Sequence, residues 1–516
     1  MNIKQRFYWL IPAIGILIAI GLLFYQNLSN VAEAPEENWS KALPIGETSI
    51  NKYPYVTKTD ELTTEIVEFD SETLVKRTYG DKYTIIDEEE FPDIPFNKWT
   101  KVFAYNNELF YFQYKTIYDG VTGKKITEAD SFHPLKDYLV YVKGNTVFEL
   151  DPQTKKSNSI YNFDTTIDEL VASQTEGGIV FLTYTKKQED LNVSVYEYSN
   201  DSTTNIHQQS FSVSHNERIQ DASVAYEGNR LAFLFRTERK GAGGTAPVNT
   251  LYLFDNNRPT LNQITFNDPK GSARLNNVSD ISLAFHNQKI KILFSANGKS
   301  KTKYNAMTAF NIYEAIEQDG SFEVFRRSNT SSFSAKPQWI NNNTVTWIDL
   351  KGASNKILLS SSDEELIEQT RTPSNTDLVV ALGKTIGMLS VAFLAILLSS
   401  IWFIWPLILL IIIYLSRRNL LDRDPNWVYY VGLVSYALAV ILFKHRFFID
   451  TIYMKAPEYL TFQYSDWLSI TVFGIIAHFC ATYGAIHNEW NVPVKLVYFM
   501  GVHIVLLAFF FGPYFL

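Results

Sequence analysis

Short apolar runs rich in Val, Ile, Tyr and Phe fill residues 50–370, broken every few positions by Asn, Gly, Asp and Ser. That rhythm predicts antiparallel strands joined by tight hairpins, and no long helical period competes with it. The clearest unit has runs at 138–142 and 146–150 around a turn of Lys143, Gly144 and Asn145, followed by an Asp151-x-x-Thr154-x-Lys156 tail. An earlier unit echoes it, with runs at 104–105 and 109–112, a turn at Asn106 and Asn107, and Asp119-x-x-Thr122-x-Lys124 thereafter. The two tails lie 32 residues apart. A later unit turns at 227–229 and has runs at 231–235, 251–255 and 261–265. Comparable pairs occur at 179–184 with 193–198, 281–285 with 290–294 and 337–340 with 344–348, and a weaker one covers 53–86. Roughly 320 residues in seven such units give about 46 each, close to the period of closed radial repeats. Six and eight units stay open. Closure of the ring is expected physically, because it leaves only short, protected sheet edges. Residues 53–57 are expected to supply the strand that completes the last unit.

These units resemble blades of a β-propeller. Residues 227–265 are similar to TolB-like and WD40-like blades, and the turns beginning at Asp119 and Asp151 resemble those of PQQ enzymes. The resemblance implies a mainly β extracytoplasmic β-propeller of about seven blades over residues 50–372. It identifies no specific family.

The rest of the chain reads differently. Residues 7–25 are uncharged, follow Lys4 and Arg6, and are long enough to span a bilayer core of about 30 Å. Their length favours an uncleaved anchor over a signal peptide. Further spans are expected at 427–443, 467–486 and 492–511, with Trp427 and Trp467 at their ends as aromatic belts require. The stretch 385–416 is either one long helix, kinked near Ser399, Ser400 and Pro406, or a hairpin of two. Basic residues favour the single helix. It places Lys4, Arg6, Arg417, Arg418, Arg423 and Lys495 in the cytoplasm and Lys444, Arg446 and Lys455 outside, six against three; the hairpin gives five against four. The expected organisation is a cytoplasmic stub at 1–6, an anchor at 7–25, linkers at 26–49 and 373–384, and an α-helical transmembrane bundle over 385–516. The loop 444–466 mixes aromatic and charged residues and is expected along the outer interface.

Charge sharpens the division. Lys and Arg total 46 against 54 Asp and Glu, a net −8, and residues 26–377 hold 36 basic and 48 acidic residues. So acidic a domain argues against nucleic acid as a partner. A single cysteine, Cys480, excludes a disulfide framework and any Cys-rich metal site. Asp119 and Asp151 are read as caps of their own turns. The run Asp87, Glu88, Glu89, Glu90 with Asp93 lacks the spacing and glycine of a calcium loop, and reads as a solvated acidic turn. Residues 236–247 form the most glycine-rich stretch, read as a loop that interrupts a hairpin, with Arg236, Arg239 and Lys240 as candidate contact residues. His478 and His503 fall inside spans, where ionisable groups are functional candidates by default. Each lies 11 residues into its helix, so the two are expected to share a level and bond each other, with Gly474, Gly484 and Gly501 allowing close approach. Two histidines are too few for a metal site, and no pattern requires a cofactor.

The function expected is that of a membrane-anchored binding, scaffold or sensing module. Its partners would be the lipid bilayer and a membrane or envelope protein, in a multi-pass protein of a bacterial cell membrane. A transporter or membrane enzyme with an accessory propeller is the alternative, and an extracytoplasmic hydrolase or PQQ-like enzyme the third.

Overall fold

The computed structural model describes residues 7–516 apart from 53, 59–62, 107, 165–168, 242–243, 256–257, 270–272, 299–308, 331, 351–354 and 417–424. It divides into a β unit between Ala34 and Thr372 and a helical unit made by the two ends of the chain.

The β unit is a seven-bladed propeller of four-stranded antiparallel sheets. Blades 1 to 6 are consecutive in the chain, over 55–91, 101–128, 131–162, 169–212, 217–263 and 276–326. Blade 7 takes three strands from 333–361 and its fourth from Leu43–Thr48. The first strand of each blade is innermost, and first strands of neighbouring blades touch around the ring. The hairpins anticipated from the repeats are present, with the 138–150 unit pairing Leu139 to Leu150 and Lys143 to Thr146. Strands in blades 1 to 3 run four to seven residues, whereas those of blades 4 to 6 reach 10 to 12. One side of the ring is therefore built from longer sheets.

The core is divided among the gaps between blades. Val180, Leu182 and Val193 of blade 4 pack with Val224, Phe233 and Phe235 of blade 5, and Leu234 and Leu251 of blade 5 with Ile292 and Phe294 of blade 6. Each sheet thus buries both faces, which is why its runs read as nearly continuous apolar segments rather than strict alternation.

The closing strand is not the one expected. Tyr55–Lys58 is the inner strand of blade 1, and Leu43–Thr48 closes the ring by pairing antiparallel with 355–359. Pro44 and Gly46 disguise this strand in the sequence. It is an outermost strand, where a missing N–H is tolerated, and its register shifts between these two residues. Trp39 Nε1 donates to Ser360 Oγ at 2.7 Å, Ser40 N donates to Ser361 O at 2.7 Å, and the Arg327 guanidinium lies 4.0 Å above the Trp39 ring. Arg327 is held by the buried Glu314, 2.6 Å away. On the seam with blade 1, Ile45, Ile357 and Leu359 pack against Ile66 and Tyr79, and the Tyr79 hydroxyl donates to Ile45 O. Glu68 lies fully buried there, paired with Arg77. Burial pushes its carboxyl up to about 7 against the pull of Arg77.

Asp119 and Asp151 cap their turns. Asp119 Oδ1 accepts from Val121 N at 2.9 Å and Thr122 N at 3.1 Å, and Asp151 Oδ1 from Gln153 N at 2.8 Å and Thr154 N at 2.9 Å. Lys155 joins the two turns by bonding Asp119 Oδ2 at 2.7 Å. The acidic run occupies the outer strand of blade 1, where Glu88 pairs with Arg77 and Glu89 with Lys76.

Among its described residues the helical unit holds five helical segments long and apolar enough to cross a membrane. α1 (Phe7–Val31) extends six residues beyond its expected end, and α2 (Glu364–Arg371) belongs to the β unit. α3 (Asn375–Ser399) starts in the expected linker, behind a capping box between Ser374 and Asp377. It continues through Ser400 into α4 (Ile401–Ser416) as one helical run of 42 residues, the single long helix. Ser399 Oγ bonds back to Ala395 O at 2.7 Å beside the break, a contact that bends helices. α5 (Asn426–Phe443) follows residues 417–424, so Arg417, Arg418 and Arg423 lie outside the described residues. A short α6 (Asp450–Lys455) precedes α7 (Ser465–Asn488) and α8 (Val492–Phe511). α8 is the most enclosed, packing against α1, α3, α5 and α7.

The seam should be the weak point of the propeller. A Cβ at Gly46 would stand 2.1 Å from Glu68 Oε1, so Gly46→Ala overpacks the site. It should lower stability by about 1–3 kcal/mol, read as a drop in the unfolding midpoint of the purified protein. Trp39→Ala should cost about 3–5 kcal/mol. A partly buried aromatic away from the seam, Phe148→Leu, should cost less.

Candidate functional site

One ionisable residue from each blade belongs to a set whose members act electrostatically on one another. Lys101, His133, Glu169, Asp221, Asp280 and Lys336 lie on the inner strands of blades 2 to 7, and Lys52 lies just ahead of that of blade 1. In ring order the lysines come from blades 7, 1 and 2, the histidine from blade 3, and the acids from blades 4, 5 and 6. The charge is thus segregated into a basic arc and an acidic arc.

Hydrogen bonds fix several members. Lys336 Nζ donates to Asn51 O at 2.6 Å and its N–H to Asp280 Oδ2 at 3.1 Å. Ser295 Oγ donates to the same carboxylate oxygen at 3.0 Å. Lys101 Nζ reaches Phe132 O at 2.8 Å, His133 Nε2 bonds Ser131 Oγ at 2.9 Å, and Glu169 accepts from Tyr184 OH at 2.6 Å. Neither Lys52 nor Lys101 forms an ion pair with a described residue. Between blades, Tyr55 OH donates to Leu135 O at 3.0 Å and Ser223 Oγ to Ile281 O at 2.9 Å, which locks the inner strands together.

Lys101, Glu169 and Asp221 keep water-accessible surface, as groups lining the central channel of a propeller do. Desolvation, then repulsion from Lys101 and Lys336, brings Lys52 down to about 7. Desolvation also lowers Lys101 and Lys336. It brings His133 down to about 3, with Lys101 adding to the effect, so this ring is neutral. Asp221 rises to about 6 through desolvation, which outweighs its Ala222 N–H bond and Arg236. Enclosed charges held in place by backbone are well suited to reading the charge of a ligand.

The candidate contact residues of blade 5 lie on its second strand, Arg230–Gly241, which pairs with Gly244–Asp255 as one long hairpin. The glycines therefore end a hairpin rather than interrupt one, and the tip at 242–243 lies outside the described residues. Arg239 pairs with Glu217, and Lys240 N donates to Asn216 O at 3.1 Å. Arg236 stands opposite Asp221 in register and alone of the three meets the channel group. Sequence reading missed the ring itself. Its signal was a polar residue at or just inside the start of each blade's first apolar run.

In the helical unit His478 and His503 do not bond each other. His478 Nδ1 pairs with Tyr429 OH at 2.9 Å. His503 Nδ1 pairs with Tyr436 OH at 2.7 Å, and its Nε2 donates to Ile470 O at 3.0 Å. Tyr429 and Tyr436 are two turns apart on α5 and so present to one side of it. Phe499, one turn before His503, stacks at 6.1 Å from it and 6.5 Å from His478, filling the space a mutual bond needs. Gly474 lies under His503, Gly484 under Trp490, and Gly501 faces open space.

No family model matches the chain, and no curated protein matches it. Among solved structures, a polysaccharide lyase is 9% identical with a TM-score of 0.41, over 61% of this chain and 91% of that one. The β-propeller domain of the Trilobed protease from Pyrococcus furiosus is 12% identical with a TM-score of 0.36, over 62% and 95%. Dipeptidyl peptidase 4 of Porphyromonas gingivalis is 11% identical with a TM-score of 0.31, over 64% and 61%. These likenesses concern the propeller fold alone.

The coupling of the lysines is measurable. With lysines labelled by reductive 13C-methylation, the Lys52 resonance should titrate near pH 7. Because repulsion from Lys101 adds to desolvation in lowering its pKa, Lys101→Ala should move that titration upward. A Lys52 that titrates with the surface lysines in both proteins would place it outside the channel.

Proposed function

We propose that this protein is a membrane-anchored, extracytoplasmic binding or sensing module whose propeller takes a ligand or partner segment carrying both signs of charge at the channel mouth. The observation that carries this reading is the ring of seven ionisable groups, one per blade, with its lysines gathered on blades 7, 1 and 2 and its acids on blades 4 to 6. A ligand bearing charge of one sign would gain from one arc and be repelled by the other. A dipolar segment, aligned with the arcs, gains from both, and such complementarity governs specificity and encounter rate. Among the described residues no group of three or more metal-ligating side chains converges. A single helix would suffice as an anchor. Four further spans support assembly with a membrane partner, and the enclosed α8 supports a bundle stable enough to present one.

In this reading the N-terminus is cytoplasmic, the propeller and the 444–466 segment are external, and the 488–491 turn is cytoplasmic. The basic counts support that orientation. Single cysteines at Thr461 and Asn488, in a Cys480→Ser background, test it. An impermeant thiol reagent should label position 461 in intact cells and position 488 only after permeabilisation; the opposite pattern inverts the topology.

Binding is tested by purification from mildly solubilised membranes, comparing the wild type with a Lys101→Glu/Asp221→Lys double variant that exchanges charge between the arcs. A partner retained by the wild type, released by added salt and lost from a folded double variant, agrees with the proposal. Equal retention by both proteins would show that the propeller channel takes no part.

A further inference from the structure

Beyond the channel, one cavity of about 580 Å³ lies between blades 5 and 6. Its walls come from the third strand of blade 5 near Asn249, the connection 263–266, the start of blade 6's inner strand at 274–278, and Asn297 at the end of the next strand. All these lie at the end of the propeller where inner strands begin. The polar part of the lining is mostly carboxamide, from Asn249, Gln263, Asn276, Asn277 and Asn297, set among apolar residues such as Ile264 and Phe266. Asn249 is only 8% exposed, yet its Oδ1 has no hydrogen-bond partner, and the buried Oδ1 of Asn297 on the opposite wall has none either. Buried polar atoms are normally satisfied, so two orphaned acceptors on side chains of one cavity's wall mark a place where, once those side chains turn, donors from outside can be met.

We infer that this cleft is a binding site for a short neutral oligosaccharide. A carboxamide offers an acceptor oxygen and an NH2 donor in one rigid plane, and a sugar hydroxyl both donates and accepts. Five carboxamides therefore match a run of hydroxyls without requiring charge. Among the described residues of the lining Arg274 alone is charged, and a single cation is a weak match for a polyanion. An apolar ligand would leave the acceptors of Asn249 and Asn297 unmet. A peptide joining the sheet edge needs a continuous ladder of N–H groups. The edge beside the cleft carries Pro247, which has none, and the neighbouring strand's pairing ends at Thr250 with Gln263. The volume falls in the range of pockets that enclose small organic ligands, roughly 300–1,000 Å³.

The cleft is distinct from the channel, although one row of residues connects them. Asp221, Arg236 and Asn249 are opposite one another on the first, second and third strands of blade 5. Cross-strand partners share a sheet face, so the half-buried Arg236, whose buried Nε has no described partner, stands between the two sites.

Saturation-transfer NMR on the full chain in lipid nanodiscs, free of glycoside detergent, tests the inference. The probes are cellotriose, maltotriose and chitotriose, with trialanine as the peptide comparison. At least one sugar should receive saturation. The signal should weaken several-fold in Asn249→Leu and in Gln263→Ala, whose exposed side chain is not needed for folding, and persist in Lys101→Glu. The inference is overturned if no sugar binds, if trialanine binds in place of the sugars, or if sugar binding survives both cleft substitutions. Loss in Lys101→Glu alone would assign the sugar to the channel and also overturn it.

Discussion

Everything in the β unit depends on the backbone pairing of Leu43–Thr48 with residues 355–359. A ring of sheets is held by contacts between neighbours, and a ring left open has one gap with no neighbour to fill it. Closing it with a strand from the other end of the segment converts that gap into an ordinary four-stranded blade. The pairing is clamped by side chains: Trp39 on Ser360, Arg327 over Trp39, and Glu314 beneath Arg327. Gly46 is required there because Glu68 occupies the volume any Cβ would need. The helical unit ties its own ends comparably, with Asn27 of α1 donating to Thr385 of α3 at 3.0 Å.

Closure in turn defines the channel. Only in a complete ring do Lys336 of blade 7 and Lys52 beside blade 1 approach closely enough to repel each other, and Lys336 is fastened to Asn51 across that same seam. The depressed lysines and raised Asp221 therefore report on the integrity of the ring as well as on burial. The charged arcs and the carboxamide cleft share a structural basis, since both arise where inner strands begin and both use the long sheets of blades 4 to 6.

The propeller was legible because its hairpins are local. Runs such as 138–142 and 146–150, with Gly144 in the turn at a positive φ of 61°, announce their own pairing. The closing strand was illegible for the opposite reason. Its partner lies some 310 residues away, and Pro44 and Gly46 remove the apolar pattern that marks a strand. The ring of charges was hidden because seven single residues, spread over nearly 290 positions, meet only through topology. Asp119 and Asp151 could be read as turn caps because their bonds are to N–H groups two and three residues on. His478 and His503 show the limit of depth arithmetic. Counting residues put both at one level, yet which neighbour each ring meets is decided by Phe499 and by the tyrosines of α5.

The central claim is that closure at one seam sets the geometry of the whole channel. Hydrogen–deuterium exchange on the full-length protein, followed by mass spectrometry, tests it when the seam is loosened by Gly46→Ala. If the ring acts as one closed structure, exchange should quicken at the distant inner strands around Leu170, Ala222 and Ile281 as well as at 43–48 and 355–361. Faster exchange confined to the seam strands, with the inner strands of blades 4 to 6 unchanged, would contradict the account.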